Sequence, residues 1–316
     1  MLRRALGSCR WLVSLSFMGF VAVGIAILAV PVTARGDNIF VSNTAPGSIG
    51  EYTTSGATVN ASLIPGVAAL GIAASGSNLF VANFTNETVG EYTTSGVTIN
   101  ASLITGLNGV AGIAVSGSNL FVVNQKIGTI GEYTASGATV NASLITGLGN
   151  PTGIAVSGSD LFVATISIPG AAGSGVIGEY TTSGATVNPS LITGVLPAGI
   201  AVSGSNLFVA DAGLSRIGKY TTAGGTVNAS LVSGLDNPTG IAVDGSDLFV
   251  TNQSTPGTIG EYDTSGATIN ASLVSGLSTP WAIAVVPVPE PGSLLLLGAG
   301  LGGLTVVVRA HRQRVR

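Results

Sequence analysis

Gly112-Ile-Ala-Val-Ser-Gly-Ser-Asn-Leu-Phe-Val-Val-Asn124, followed within a few residues by Ile130-Gly-Glu-Tyr-Thr-Ala-Ser-Gly-Ala-Thr-Val-Asn-Ala-Ser-Leu-Ile145, is the pattern that the rest of the chain repeats. It contains four short runs rich in Val, Ile, Phe, Tyr and Thr, each bounded by Gly, Ser or Asn. Such runs read as β-strands. Ser-Gly-Ser between the first two runs and Ser-Gly between the last two supply tight hairpins, because Gly accepts positive φ and Ser bonds its own backbone.

Variants recur around Tyr52, Tyr92, Tyr133, Tyr180, Tyr220 and Tyr262, about 40 residues apart, a period in the range of propeller repeats. The body begins at Asn38-Ile-Phe-Val-Ser42, a second-type strand with no first strand before it. It ends at Trp281-Ala-Ile-Ala-Val285, a first-type strand with nothing after it. Pairing the two orphans completes a blade, so the spacing predicts an all-β, six-bladed β-propeller closed by its N- and C-terminal strands. An open solenoid would need no such complement. Asn150-Pro-Thr-Gly-Ile-Ala-Val-Ser-Gly-Ser-Asp-Leu-Phe-Val-Ala164 and Asn237-Pro-Thr-Gly-Ile-Ala-Val-Asp-Gly-Ser-Asp-Leu-Phe-Val-Thr251 resemble NHL-type propeller repeats, a resemblance that implies fold and leaves function open.

Composition bounds what the repeats can do. The chain has 316 residues, 47 of them Gly, and only 8% are charged. Outside the two ends, its apolar residues come in short runs that suit buried strands rather than spanning helices. Between Arg35 and Val288 the only cations are Arg35, Lys126, Arg216 and Lys219, against thirteen Asp and Glu. An acidic body argues against nucleic acid, whose phosphates select clustered Lys and Arg. Cys9 is the one cysteine and His311 the one histidine, both in the terminal segments, so Ser-His and Cys-His catalysis and zinc have no ligands or bases in the body.

The ends read as targeting signals. Arg3, Arg4 and Arg10 precede an apolar run to Val32, and Val32-Thr-Ala34 supplies small residues before Arg35. That is the form of a secretory signal helix cut between Ala34 and Arg35, with an uncleaved anchor as the alternative. Residues 1–34 are thus assigned to the signal, 35–287 to the propeller and 288–316 to a tail. The tail reads Pro289-Glu290-Pro291, an apolar run from Leu294 to Val308 of marginal spanning length, and an Arg-rich end that would stay cytoplasmic. Its three-part order resembles the PEP-CTERM sorting tail of bacterial surface proteins. The resemblance implies recognition by an exosortase, removal of a transmembrane helix that anchors the protein until then, and delivery to the cell surface or extracellular matrix. A plain C-terminal anchor is the simpler reading.

Comparison among the copies locates a candidate contact face. The hairpins after the first and third strands are nearly constant, whereas the links after the second and fourth vary and share one rim. The fourth copy expands from Thr165 through Ile168 and Pro169 to Val176. Loops on a rigid scaffold commonly carry binding, so this rim is the expected contact face and that loop the expected binding loop; unconstrained drift would also vary it. Exopolysaccharide or a surface protein is the expected partner there. Propellers similar to gluconolactonases hold a cation near one rim, and here Asn43, Asn83, Asn124, Asp211 and Asn252 end second strands. That ring is a weak Ca²⁺ candidate with one carboxylate, and local Asx-turns are the competing reading. The recurrent Glu51, Glu91, Glu132, Glu179 and Glu261 read as a solvated strand face that guards an edge, and the tyrosines as packing between blades. Asn-Ala-Ser at Asn60, Asn100, Asn141, Asn228 and Asn270 matches a glycosylation acceptor but reads as polar punctuation of the outer strand. No catalytic residue is expected. The leading reading is a secreted, non-catalytic matrix, adhesion or binding component, with a calcium-dependent hydrolase or lactonase and a glycan-binding module as alternatives.

Overall fold

The computed structural model describes residues 37–166 and 175–288, which form six antiparallel four-stranded sheets. The first holds β1 (Asn38–Asn43), β2 (Ser48–Thr53) and β3 (Thr58–Pro65), and β24 (Pro280–Val286) pairs with β1. The second holds β4 (Ala69–Ser75), β5 (Asn78–Asn83), β6 (Thr88–Thr93) and β7 (Thr98–Ile104); the third holds β8 (Val110–Ser116), β9 (Asn119–Asn124), β10 (Thr129–Thr134) and β11 (Thr139–Ile145). The fourth holds β12 (Pro151–Ser157), β13 (Asp160–Ile166), β14 (Gly175–Thr181) and β15 (Thr186–Val195). In the fifth are β16 (Pro197–Ser203), β17 (Asn206–Asp211), β18 (Arg216–Thr221) and β19 (Thr226–Ser233), and in the sixth β20 (Pro238–Asp244), β21 (Asp247–Asn252), β22 (Gly257–Asp263) and β23 (Thr268–Leu277).

Strands β4, β8, β12, β16, β20 and β24 lie side by side around the axis, β24 next to β4, so the ring is closed. Closure is the pairing expected from the terminal offset: Ile39 faces Val285, Phe40 faces Ala284 and Val41 faces Ile283. In the other blades a short hairpin, Ser-Gly-Ser in blades two to five and Asp244-Gly245-Ser246 in blade six, joins the first strand covalently to the second. The closing blade has no such link, and side chains tie it instead. Val288 N–H donates to Asp37 Oδ1 (3.0 Å), Ala282 N–H to Ser42 Oγ (2.8 Å), and Thr44 Oγ1 to Thr279 Oγ1 (2.8 Å). Thr251 in the neighbouring blade donates to Trp281 O at 2.7 Å. The positions of Ser42 and Thr251 are taken by Ala82, Val123, Ala164 and Ala210 in the other copies, so these hydroxyls belong to the closure alone.

Six apolar cores fill the six junctions between blades, each with a Phe from one second strand and a Tyr from the next blade's third strand. Phe40 packs with Tyr92, Phe80 with Tyr133, Phe121 with Tyr180, Phe162 with Tyr220, Phe208 with Tyr262 and Phe249 with Tyr52. All six Phe are fully buried, each stabilising by about 1.5–3 kcal/mol relative to an exposed ring. The tyrosines therefore pack between blades, as expected.

Around the axis the first strands approach backbone to backbone. A Cβ on Gly71, Gly112, Gly199 or Gly240 would lie 2.4, 2.7, 2.3 and 2.3 Å from a carbonyl oxygen of the next inner strand. The axial space between them is about 80 Å³, far below the ~300–1,000 Å³ of ordinary ligand pockets.

The outer strands explain Asn-Ala-Ser. Pairing of β2 with β3 slips between Ile49↔Ile64 and Glu51↔Asn60, and again before Tyr52↔Thr58, so the strand bulges at this tripeptide. Asn60 Oδ1 accepts from Ser62 N–H at 3.0 Å, and the same bond recurs at Asn100, Asn141, Asn188, Asn228 and Asn270. Asn188 precedes Pro189, which no glycosylation acceptor tolerates, yet it makes the same contact. The motif is thus a bulge-forming element that spoils an open edge for pairing.

One expectation is corrected. The third strands lie inside each sheet, so their Glu residues cannot guard an edge. Glu51 is only 7% exposed, and Asn38 Nδ2 donates to its Oε1 at 2.6 Å.

Candidate binding rim

All second-to-third and fourth-to-first links leave the disc on one side, here termed the rim; the short hairpins and both ends of the described chain lie on the other, the base. The second strand reaches the rim at Asn43, Asn83, Asn124, Thr165, Asp211 and Asn252, each nine-tenths or more buried. Gly50 clears the path for Tyr52: a Cβ there would lie 2.8 Å from the Tyr52 hydroxyl, and Asn43, Gly50 and Tyr52 share one face of the sheet. Burial pushes the Tyr52 phenol up, and a hydrogen bond from Asn43 offsets part of this; Asn124 with Tyr133 and Asn252 with Tyr262 repeat the arrangement.

Asp211, the carboxylate of the Ca²⁺ candidate ring, is 1% exposed and heavily committed. Its Oδ1 accepts from Leu196 N–H (3.0 Å) and Leu214 N–H (3.2 Å), and its Oδ2 from Arg216 Nε (3.1 Å). Asn124 Oδ1 likewise accepts from Asn108 N–H at 3.3 Å and Asn83 Oδ1 from Asn86 N–H at 3.4 Å. These strand-end groups hold the links in shape. Among the described residues no group of three or more Asp, Glu, His or Cys is placed to hold a metal ion.

The link tips differ from the ring beneath them. Phe84, Ile127 and Leu214 are 39%, 54% and 44% exposed, and each stands in a second-to-third link of blades two, three and five. The other large exposed apolar side chains among the described residues lie on or just before outer strands, such as Val140 and Val187. Lys126 sits 5.8 Å over the Phe84 ring and pairs with Glu87, so the rim's charges largely cancel. A recess of about 340 Å³, lined by Val67, Asn83, Asn86, Tyr92 and Ser102 among others, runs from the rim into the junction of the first two blades. In blade four, Thr165 Oγ1 donates to Val176 O at 3.4 Å, flanking residues 167–174. Ile168, Pro169, Ala34, Arg35, Pro289, Glu290 and Pro291 lie outside the described residues, as do the expected signal and transmembrane helices. No helix among the described residues is long and apolar enough to cross a membrane.

The base is acidic. Asp37, Glu51, Glu91, Glu132, Asp160, Glu179, Asp244, Asp247, Glu261 and Asp263 all lie toward it, with Lys219 as the one described cation there. Sequence reading missed how these pair. Asn78 and Asn119 donate to Glu91 and Glu132 at 2.7 Å, but blades four and six place Asp160 beside Glu179 and Asp247 beside Glu261. Desolvation and the facing aspartate raise the pKa of Glu179 and of Glu261; desolvation and a bond to Asp37 do so for Asp244. A raised folded-state value means the penalty is absent while these acids are protonated and complete above the raised range. Stability should therefore increase as pH falls from neutral towards the ordinary carboxylate range of about 4. Asp263, held low by Ser265 and the Ala267 N–H, acts in the opposite sense, below that range. Replacing Asp160 and Asp247 by Asn should restore the bond of the other blades. We expect about 0.5 kcal/mol of stabilisation from each, discounted for solvent screening, and a flatter pH profile in thermal melts; an unchanged slope would sink this assignment.

Residues 287–313 match the model of the PEP-CTERM protein-sorting motif. The motif implies export, processing by an exosortase and sorting to the cell surface. No curated protein matches the sequence. Among solved structures, the chain is similar to one in a nidogen/laminin complex (18% identity, TM-score 0.66, covering 80% of this chain and 99% of that one). A gluconolactonase from Xanthomonas campestris shares 14% identity at a TM-score of 0.57, over 76% of this chain and 86% of that one. A streptogramin B lyase shares 19% at 0.51, over 80% and 74%. The protein is a six-bladed β-propeller resembling the nidogen and gluconolactonase types, with a PEP-CTERM sorting motif at its C-terminus.

Proposed function

We propose that the protein is a non-catalytic binding component of the bacterial surface or matrix, exported by its N-terminal signal, held by its C-terminal helix until processing, and contacting its partner through the rim. The observation that carries this reading is the set of exposed apolar tips at Phe84, Ile127 and Leu214, raised on links whose strand-end residues Asn83, Asn124 and Asp211 are spent on holding shape. Because both ends of the described chain lie at the base, a tail anchored in the membrane leaves the rim facing outward. Extracellular glycan or a surface protein is the partner class that suits a mixed aromatic and polar face of low net charge.

The commitment of Asp211 to two backbone N–H groups and Arg216 favours binding over the calcium-dependent lactonase reading. The test uses cells that produce the full chain. Phe84→Ser with Leu214→Ser should release the protein from the exopolysaccharide matrix into the medium at least fivefold more than the parent, with export unchanged and Val140→Ser as an exposed control. Equal retention of both variants would overturn the rim assignment. Calcium-dependent turnover of a lactone panel, lost in Asp211→Asn, would overturn the non-catalytic one.

A further inference from the structure

The root of the sorting tail is not a free tether. Strand β24 ends at Val286, and the N–H of Val288, the residue before the Pro289-Glu-Pro motif, is still held by Asp37 Oδ1 at 3.0 Å. The motif therefore begins one residue beyond a tethered position of the base. Even fully extended, the stretch from Pro287 to Ser293 spans no more than about 25 Å. A membrane enzyme that acts on this motif must work within reach of the base.

The base beside that root is not uniform. On the blade-six side stand Asp244 and Asp247. On the blade-two side lies an uncharged cleft of about 350 Å³ lined by Ala74, Gly76, Val285, Val286 and Pro287. It is continuous with the tail, since Pro287 belongs both to its wall and to the matched motif segment. We propose that the exosortase that processes the tail docks on the propeller itself, seating against this cleft, so that the folded body is part of the recognised substrate. Its apolar lining offers a membrane enzyme a dry contact on a face otherwise dominated by carboxylates.

The repeats supply an internal control. Gly76 has φ +57°, and a Cβ there meets nothing within 4 Å; Gly158, the equivalent hairpin residue in blade four, has φ +58° and is equally open. Asp tolerates this left-handed conformation, so the same substitution is accommodated at either place. Full-length Gly76→Asp and Gly158→Asp are produced in a host that carries the cognate exosortase, and tail loss is followed by pulse-chase and mass spectrometry. Gly76→Asp should slow tail removal at least fivefold, while Gly158→Asp matches the parent; Gly76→Asn should fall between them. Wild-type processing of Gly76→Asp, or equal slowing of both Asp variants, overturns the proposal.

Discussion

Gly240→Ala should cost about 3–5 kcal/mol and lower the melting temperature by roughly 10 °C. The added methyl would sit 2.3 Å from Trp281 O and 2.9 Å from Thr251 Oγ1. Both neighbours belong to the closing region, where Thr251 Oγ1 already accepts from Gly240 N–H at 2.7 Å and donates to Trp281 O at 2.7 Å. Backbone cannot retreat there without separating two inner strands, which overpacks a site with no slack. Gly153 provides the comparison. A methyl at that position would lie 3.1 Å from Ala198 O, and Gly153→Ala should cost only about 1 kcal/mol. Alanine occupies the equivalent place naturally at Ala282, so the axis admits one Cβ where the geometry allows it. Thermal melts of the two variants decide the matter: indistinguishable transitions would mean that inner-strand spacing is not what limits this position.

Ending the chain after Ser278 should abolish cooperative folding. The truncation removes β24, with buried Ala282, Ile283 and Ala284, and leaves β1 without its axial neighbour. Burial of Ile283 alone stabilises by about 1.5–3 kcal/mol, and the two alanines and the lost strand pairing add more. The sum approaches the ~5–15 kcal/mol by which whole domains are stable. Two apolar cores would also open, since Ala282 and Ala284 pack with Phe40 while Ile283 packs with Phe249. A synthetic peptide covering residues 279–288 should restore a melting transition when added in excess. If the truncated chain melts within a few degrees of the parent, closure by the terminal strands does not hold the ring together.

The contrast between these sites and the rest of the fold shows what a repeated sequence reveals. Strand type, blade number and closure were legible because they depend on runs of Val, Ile and Phe and on counting, and the orphan strands at Asn38 and Trp281 sufficed. The constant hairpins were legible because Ser-Gly is local chemistry. Contacts between strands were not. Whether Glu179 meets Asp160 depends on a register that no single strand encodes, although the alternation of Asn38, Asn78, Asn119, Asp160, Asn206 and Asp247 at one repeat position carried the signal. The misreading of the glutamates came from treating the third strand as solvated, when its place inside the sheet depends on the fourth strand covering it. Ser42 and Thr251 looked like neutral exchanges for alanine, and only the closing strand gives their hydroxyls something to hold. At the rim the sequence identified the variable links. It did not separate the strand-end Asn83, Asn124 and Asp211, which are consumed by the links, from the tips at Phe84, Ile127 and Leu214, which are not.

The unequal sharing of carboxylates between the two faces gives the disc a permanent electric dipole along its axis, negative at the end where the chain enters and leaves. Near any cationic surface that dipole exerts a torque before contact is made, so the molecules settle in one orientation rather than at random. An amine-coated sensor chip at low ionic strength would thus display a monolayer with its variable loops uppermost, and added salt would scramble the alignment.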